Sequence, residues 1–147
     1  MLSLYIPELK DYWYEENLLS DKGTMNYNAG YDVSYSGYHY ETGCIDFKEE
    51  KWKKKFNKRK EKNTFFAYLK ENIKNEFVGY VNYQYNEKDN RYECGIVIEK
   101  SKRKKGYAKE GLKLLCNYAK EQGINSLYDN FEINRENTLK VFESVGF

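Results

Sequence analysis

The sequence predicts an α+β fold, a mixed and mostly antiparallel sheet flanked by helices, and three observations carry that expectation. Residues 64–69 (TFFAYL), 76–85 (EFVGYVNYQY) and the stretch opened by Arg91 are rich in aromatic and β-branched residues and are separated by short turns. This is the pattern of an antiparallel meander. The Arg91 stretch alternates Tyr92, Cys94, Ile96 and Ile98 against Glu93, Gly95 and Val97, then gives way to Ala108, Leu112, Leu115 and Ala119 at helical spacing. After Gly123, a natural helix stop, residues 126–133 (SLYDNFEI) return to a strand pattern. A strand, helix, strand succession sets the Arg91 and Ser126 strands parallel.

Ahead of the meander the chain reads differently. Leu4, Tyr5 and Ile6 form a short strand or irregular lead stopped by Pro7, and Leu9, Tyr12, Trp13 and Leu18 predict an amphipathic helix over 8–19. Residues 20–27 hold turn formers followed by Thr24 and Met25, a short second helix. Residues 28–40 lack any sustained period and read as a long loop, carrying Tyr31, Tyr35, Tyr38, Tyr40 and the one histidine, His39, just after Tyr27. Long loops in compact domains are more often functional than accidental. Tyrosines offer an apolar face and a polar tip that suit a cationic amine, or they simply pack on the sheet. A histidine without a visible partner is seldom catalytic. Residues 43–47 read as a short strand, and Trp52 and Phe56, four apart within 48–62, predict a helix held by one aromatic stripe.

Length and composition narrow the function. A chain of 147 residues with 40% apolar residues, one proline and 33% charged residues is long enough for one folded domain with its own core. The net charge of +2 argues against a dedicated nucleic-acid binder. Basic residues cluster instead in 51–62 and 100–109, and in the first run Glu49, Glu50 and Glu61 nearby dilute the field to that of a solvated face. Three cysteines without CxxC spacing suggest neither disulfides nor a zinc site, which fits a reducing cytoplasm. No metal is expected. No stretch approaches the roughly 20 apolar residues that cross a bilayer, and no basic leader with an apolar core opens the chain.

The basic turn is the chemically informative stretch. Arg103, Lys104, Lys105, Gly106, Tyr107 and Ala108 join a strand to a helix, and the first N–H groups of a helix lack intrahelical partners. Fixed positive charge beside such N–H groups favours phosphate, and a glycine lets the backbone approach an anion closely. By itself, a lysine-rich turn before a helix is equally a solvated surface.

Strand, basic glycine turn and helix together resemble motif A, (Q/R)xxGx(G/A), of the GNAT superfamily of acyl-CoA N-acyltransferases, through Arg103, Gly106 and Ala108. Residues 134–147 (NRENTLKVFESVGF) resemble the family's motif B through Thr138, Phe142, Gly146 and Phe147, with Asn134 and Asn137 flanking the place of its asparagine. The resemblance implies a GNAT fold with splayed parallel central strands, and acetyl-CoA as cosubstrate. Its pantetheine arm would pair with Ile96, Val97 and Ile98 and with Asn134 or Asn137 and Phe142. Its pyrophosphate would lie on Arg103, Lys104, Lys105, Gly106, Tyr107 and Ala108, with Lys102 and Lys109 as further charges.

The implied reaction is acetyl transfer to a primary amine by direct attack on the thioester. It needs a base, for which Glu93 is the first candidate and Asp129 and Glu132 are reserves. An N–H near Ile98 would serve the oxyanion. Many relatives carry a tyrosine acid on the last helix where this chain has Phe142, so Tyr128, Tyr83 or water is expected to protonate the thiolate. The family fold continues after Gly-Phe with two strands, so the expectation is a single GNAT-like domain over 1–147, truncated after its last helix. An open sheet edge there would be available for pairing in a homodimer. Acetyl-CoA and an amine are the expected partners, with no nucleic acid and no membrane. The competing reading is a GNAT-like domain that binds acyl-CoA without turnover.

Overall fold

The computed structural model describes residues 1–31 and 36–129. The chain falls into two compact units, Met1–Ile6 with Lys60–Phe147, and Pro7–Arg59.

The first unit is built on a five-stranded sheet in the order β1-β2-β3-β4-β5. Its strands are β1 (Leu2–Tyr5), β2 (Thr64–Glu71), β3 (Glu76–Asn86), β4 (Arg91–Ile98) and β5 (Tyr128–Asp129). The first four pair antiparallel in sequence order; β2, β3 and β4 are the meander expected from their composition, and β1 adds to its edge. β4 and β5 pair parallel, Glu93 opposite Tyr128 and Cys94 opposite Asp129. A right-handed crossover through a helix is the usual way to bring two parallel strands together, and here the crossover element is α4 (Tyr107–Glu121).

Helix α4 covers one face of the sheet because its apolar residues recur at helical spacing. Leu112, Leu115 and Ala119 are fully buried and cluster with Ala67, Leu69, Val81, Cys94 and Ile98. Burying each leucine contributes about 1.5–3 kcal/mol. Since successive strand residues point to opposite faces, Tyr92, Cys94, Ile96 and Ile98 look toward α4, whereas Arg91, Glu93, Gly95 and Val97 look away from it.

β3 and β4 come unusually close at the end of β4. Gly79 pairs with Ile98, and a Cβ on Gly79 would stand 2.1 Å from the Val97 carbonyl oxygen and 3.0 Å from the Ile98 Cα. Only a residue without a side chain allows that approach.

The second unit is helical. It holds α1 (Tyr12–Ser20), α2 (Lys22–Met25) and α3 (Trp52–Lys58), with short 3-10 turns before α1, after α2 and before α3. Its core is Tyr12, Leu19, Met25, Cys44 and Phe47, against which Trp52 and Phe56 of α3 pack, as the aromatic spacing predicted. The Trp52 indole N–H donates to the Phe47 carbonyl at 3.0 Å. Residues 43–47, expected as a strand, make only an isolated antiparallel bridge between Ile45 and Tyr38. The segment folds back within the loop, as the bonds from His39 N–H to the Cys44 carbonyl and from Asp46 N–H to the Gly37 carbonyl show, and among the described residues it has no neighbouring strand to extend along.

A buried ion pair ties the two ends of this unit together. Arg59, just past α3, donates to both carboxylate oxygens of Glu15 in α1 at 2.6 and 2.8 Å, and its guanidinium carbon lies 5.4 Å from the centre of the Tyr12 ring. Burial opposes the Arg59 charge, but the hydrogen bonds and charge of Glu15 outweigh it and hold the guanidinium protonated. Losing one partner of such a pair leaves an uncompensated buried charge, which costs about 3–5 kcal/mol. Arg59→Leu is therefore expected to lower the urea midpoint sharply, and the double variant Glu15→Leu/Arg59→Leu to recover most of the loss. Equal midpoints for the single and double variants would count against this role.

Candidate active site

The site is the junction between the end of β4 and the start of α4. β4 ends at Ile98, where side-chain alternation gives way to a single 3-10 turn, Lys100–Lys102, which the sequence pattern did not reveal. The chain then passes through Arg103, Lys104, Lys105 and Gly106 into α4. Lys104 and Gly106 both have left-handed backbones, φ 66° and 79°. Gly106 adopts this freely, and a Cβ placed there would meet nothing within 4 Å. Lys104 holds it at a cost of about 1–2 kcal/mol. Two left-handed residues, one on either side of Lys105, thus shape the turn that leads into α4.

Among the described residues, the N–H groups at the head of α4 find no acceptor. Gly106 is the N-cap of α4 and no side chain caps it, so Tyr107, Ala108 and Lys109 have no intrahelical acceptor. Among the described residues, no acceptor is found for any N–H from Lys104 to Lys109, the first return bond being Glu110 N–H to the Gly106 carbonyl at 3.1 Å. Lys104, Lys105 and Lys109 are exposed, while Tyr107 and Ala108 turn their side chains toward the sheet core. N–H groups at the positive end of a 15-residue helix, bordered by ammonium groups, have the chemistry that suits an anion.

The turn is fastened to the sheet on three sides. The Arg103 Nε donates to the Ile98 carbonyl at 3.0 Å. Lys102 donates to Glu76, the first residue of β3, at 2.8 Å. Glu110, in the first turn of α4, accepts the Leu2 N–H of β1 at 2.7 Å. Lys102, expected among the phosphate-facing lysines, is thus committed to Glu76 and belongs to the scaffold.

Along β4, Ile96 packs against the core on the α4 side, and Val97 and Ile98 are buried. One backbone edge of these residues is taken by β3, with Ile96 opposite Val81 and Val97 opposite Tyr80. The segment that would run beside Gly95 to Ile98 on the other edge, where the central strands were expected to splay, lies outside the described residues. So do Glu132, Asn134, Asn137, Phe142 and Tyr35, together with the whole expected last helix.

Glu93 lies on the face away from α4 and is buried. Its carboxylate is already engaged: Asn86 donates to Oε1 at 3.0 Å, and Arg91 donates to Oε2 through Nε at 3.2 Å and Nη2 at 3.1 Å. Tyr128 is its cross-strand partner, half exposed, with the Arg91 guanidinium 4.8 Å from its ring centre. Arg91 and Asn86, absent from the residues singled out in the sequence, therefore complete the group around the two proposed catalytic residues. Their signal was only the i, i+2 spacing of Arg91 and Glu93 on one strand face. Tyr83 looks the other way: it is stacked on Phe65 beneath α4, and burial pushes its hydroxyl up to about 12. In the tyrosine-rich loop, the Tyr38 hydroxyl reaches the carbonyls of Asn28 and Tyr31, and His39 pairs with Asp46 at 2.9 Å, both of that pair being exposed. Among the described residues no group of His, Cys, Asp or Glu gathers to hold a metal, and no helix is long and apolar enough to cross a membrane.

A strand, a basic glycine turn and a helix, on a sheet of this order, are the arrangement that the resemblance to the GNAT superfamily of acyltransferases implies. A family model described as "Acetyltransferase (GNAT) family" matches residues 27–147, and the chain belongs to that family. Solved structures with the same fold include the GNAT-family acetyltransferase from Bacillus anthracis (TM-score 0.72, 21% identity, covering 99% of this chain and 78% of that one). Others are the spermidine N-acetyltransferase from Vibrio cholerae in complex with CoA and spermine (0.73, 15%, 99% and 79%) and an N-acetyltransferase from Staphylococcus aureus Mu50 (0.73, 16%, 100% and 83%). No curated protein sequence matches the chain.

The Lys102–Glu76 pair gives a pH signature. The Lys102 hydrogen bond holds the Glu76 carboxyl below its ordinary value, with Lys74 and Lys105 adding to it, and Glu76 in turn holds Lys102 above its own. The lowered carboxyl contributes stability that is present above its unfolded value, about 4.3, and is lost as pH falls through the folded one. The raised ammonium contributes below about 10.4, and its share is lost as pH rises through its folded value. The melting temperature of the wild type minus that of Glu76→Gln should then be constant between about pH 5 and 10 and vanish at more acid pH. A difference that persists at pH 2 would contradict this.

Proposed function

We propose that this GNAT acetyltransferase is an N-acetyltransferase, transferring acetyl from acetyl-CoA to a primary amine by direct attack. The observation that carries the reading is the run of N–H groups from Lys104 to Lys109 without a protein acceptor, at the head of α4 and beside three exposed lysines. The diphosphate would lie on the N–H groups of Lys104 to Ala108, with Arg103, Lys104, Lys105 and Lys109 as neighbouring cations. Ile96, Val97 and Ile98 would offer backbone groups to the pantetheine arm. Asn134, Asn137 and Phe142 complete the proposed set from the family motif.

In the reaction, the lone pair of a neutral amine attacks the thioester carbonyl carbon, a C–N bond forms, the C–S bond breaks, and the thiolate leaves. The nitrogen loses one proton and the sulfur gains one. An N–H near Ile98 meets the developing oxyanion. Glu93 is the proposed base; with Asn86 on one oxygen and Arg91 on the other, it takes the amine proton through a relaying water. Tyr128, across the strand pair from Glu93, is the proposed donor to sulfur. The engaged carboxylate equally favours a second reading, a domain that binds acyl-CoA without turnover.

A polyamine is the acceptor class to try first, since one of the structural relatives is a spermidine N-acetyltransferase holding CoA and spermine. Coenzyme A at about 100 times its dissociation constant should stabilise the chain by roughly 2.7 kcal/mol, visible as a rise in melting temperature. Gly106→Glu, which forces a side chain onto a left-handed backbone and sets a carboxylate among the N–H groups, is expected to abolish that rise. Release of free thiol from acetyl-CoA with spermidine, spermine and simple amines separates the two readings, because binding without thiol release means no turnover.

A further inference from the structure

The ends of β3 and β4 grip each other beyond ordinary strand pairing. Gly79 lets β3 lie against Val97 and Ile98. Past the last paired residues, the Glu99 N–H donates to the Val78 carbonyl at 2.9 Å. One step further, where the backbones have parted, Lys102 in the 3-10 turn reaches Glu76 at the first position of β3, its side chain only 22% exposed. Arg103, next in sequence, leaves this anchored turn with an extended backbone, ψ 165°, and Lys104 follows in the left-handed conformation. The strained turn thus begins two residues after an ion pair that fixes its origin to the sheet.

We infer that Glu76 is a positioning residue for the coenzyme: through Lys102 it holds the basic turn in the shape that presents the N–H groups from Lys104 to Lys109 to the diphosphate. The inference rests on the proposed coenzyme site. Its physical basis is preorganisation, since a loop already ordered in its binding shape does not lose that freedom on association. A purely electrostatic role predicts the opposite sign. If Glu76 merely neutralised Lys102, removing it would add one positive charge beside a polyanion and tighten binding.

The test is the dissociation constant of coenzyme A by isothermal titration calorimetry, with steady-state constants for acetyl-CoA alongside. Glu76→Gln is expected to weaken coenzyme A about five- to tenfold and to raise KM for acetyl-CoA by a similar factor, with kcat within about twofold. Glu76→Asp, which keeps a carboxylate within reach of the flexible Lys102 stem, should restore most of the affinity. The double variant Glu76→Gln/Lys102→Gln leaves the net charge unchanged, and it too should bind weakly. Tighter or unchanged binding by Glu76→Gln, or wild-type affinity in the double variant, overturns the inference. Gly106→Glu measured in parallel distinguishes the two levels. If it abolishes binding while Glu76→Gln does not weaken it, only the positioning role fails; if it binds coenzyme A normally, the site and the inference fall together.

Discussion

The constraint on which the site depends is the unmet hydrogen-bonding capacity at the head of α4. A helix cannot satisfy its own first N–H groups, and proteins usually supply a capping side chain or leave the end to water. Here Gly106 provides no side-chain cap, and the turn leading into the helix passes through left-handed conformations at Lys104 and at Gly106 itself. Such a turn would be poorly determined if it were free. It is held because Arg103, Lys102 and Glu110 each spend a side chain on the sheet, binding the turn to β4, β3 and β1. Charges that belong to the turn by sequence thus divide between those that fasten it and those that face outward.

The sheet serves the same end by different means. Packing of Leu112, Leu115 and Ala119 over β2, β3 and β4 fixes the axis of α4, and with it the direction in which its N–H groups point. Gly79 lets β3 approach β4 closely where β4 ends. On the other face, Arg91 and Asn86 occupy both oxygens of Glu93. A carboxylate so held is fixed in orientation, with each oxygen already accepting a hydrogen bond.

The helical unit is organised around a charge rather than an apolar seam alone. Glu15 and Arg59 are 44 residues apart and meet in a two-pronged pair beside Tyr12. Pairs of this kind add little net stability compared with an apolar replacement but penalise any arrangement that separates them.

Taken alone, the sequence determined the meander, the parallel strand after α4, the buried face of α4, the aromatic anchoring of α3 and the family, because each is written in local periodicity or in a short motif with fixed offsets. It overstated residues 43–47, since β-branched and aromatic content does not reveal whether a partner strand is at hand, and among the described residues only Tyr38 bridges to it. It placed Lys102 with the phosphate-facing lysines because adjacent lysines look alike until a distant carboxylate claims one of them. Only the tertiary structure decided that Glu76 does so, that Arg91 and Asn86 hold Glu93, and that Tyr83 lies under α4 instead of beside Glu93. The physical reason is the same in each case: which face a strand residue presents, and which charge finds a partner, are settled by residues far away in the chain and near only after folding.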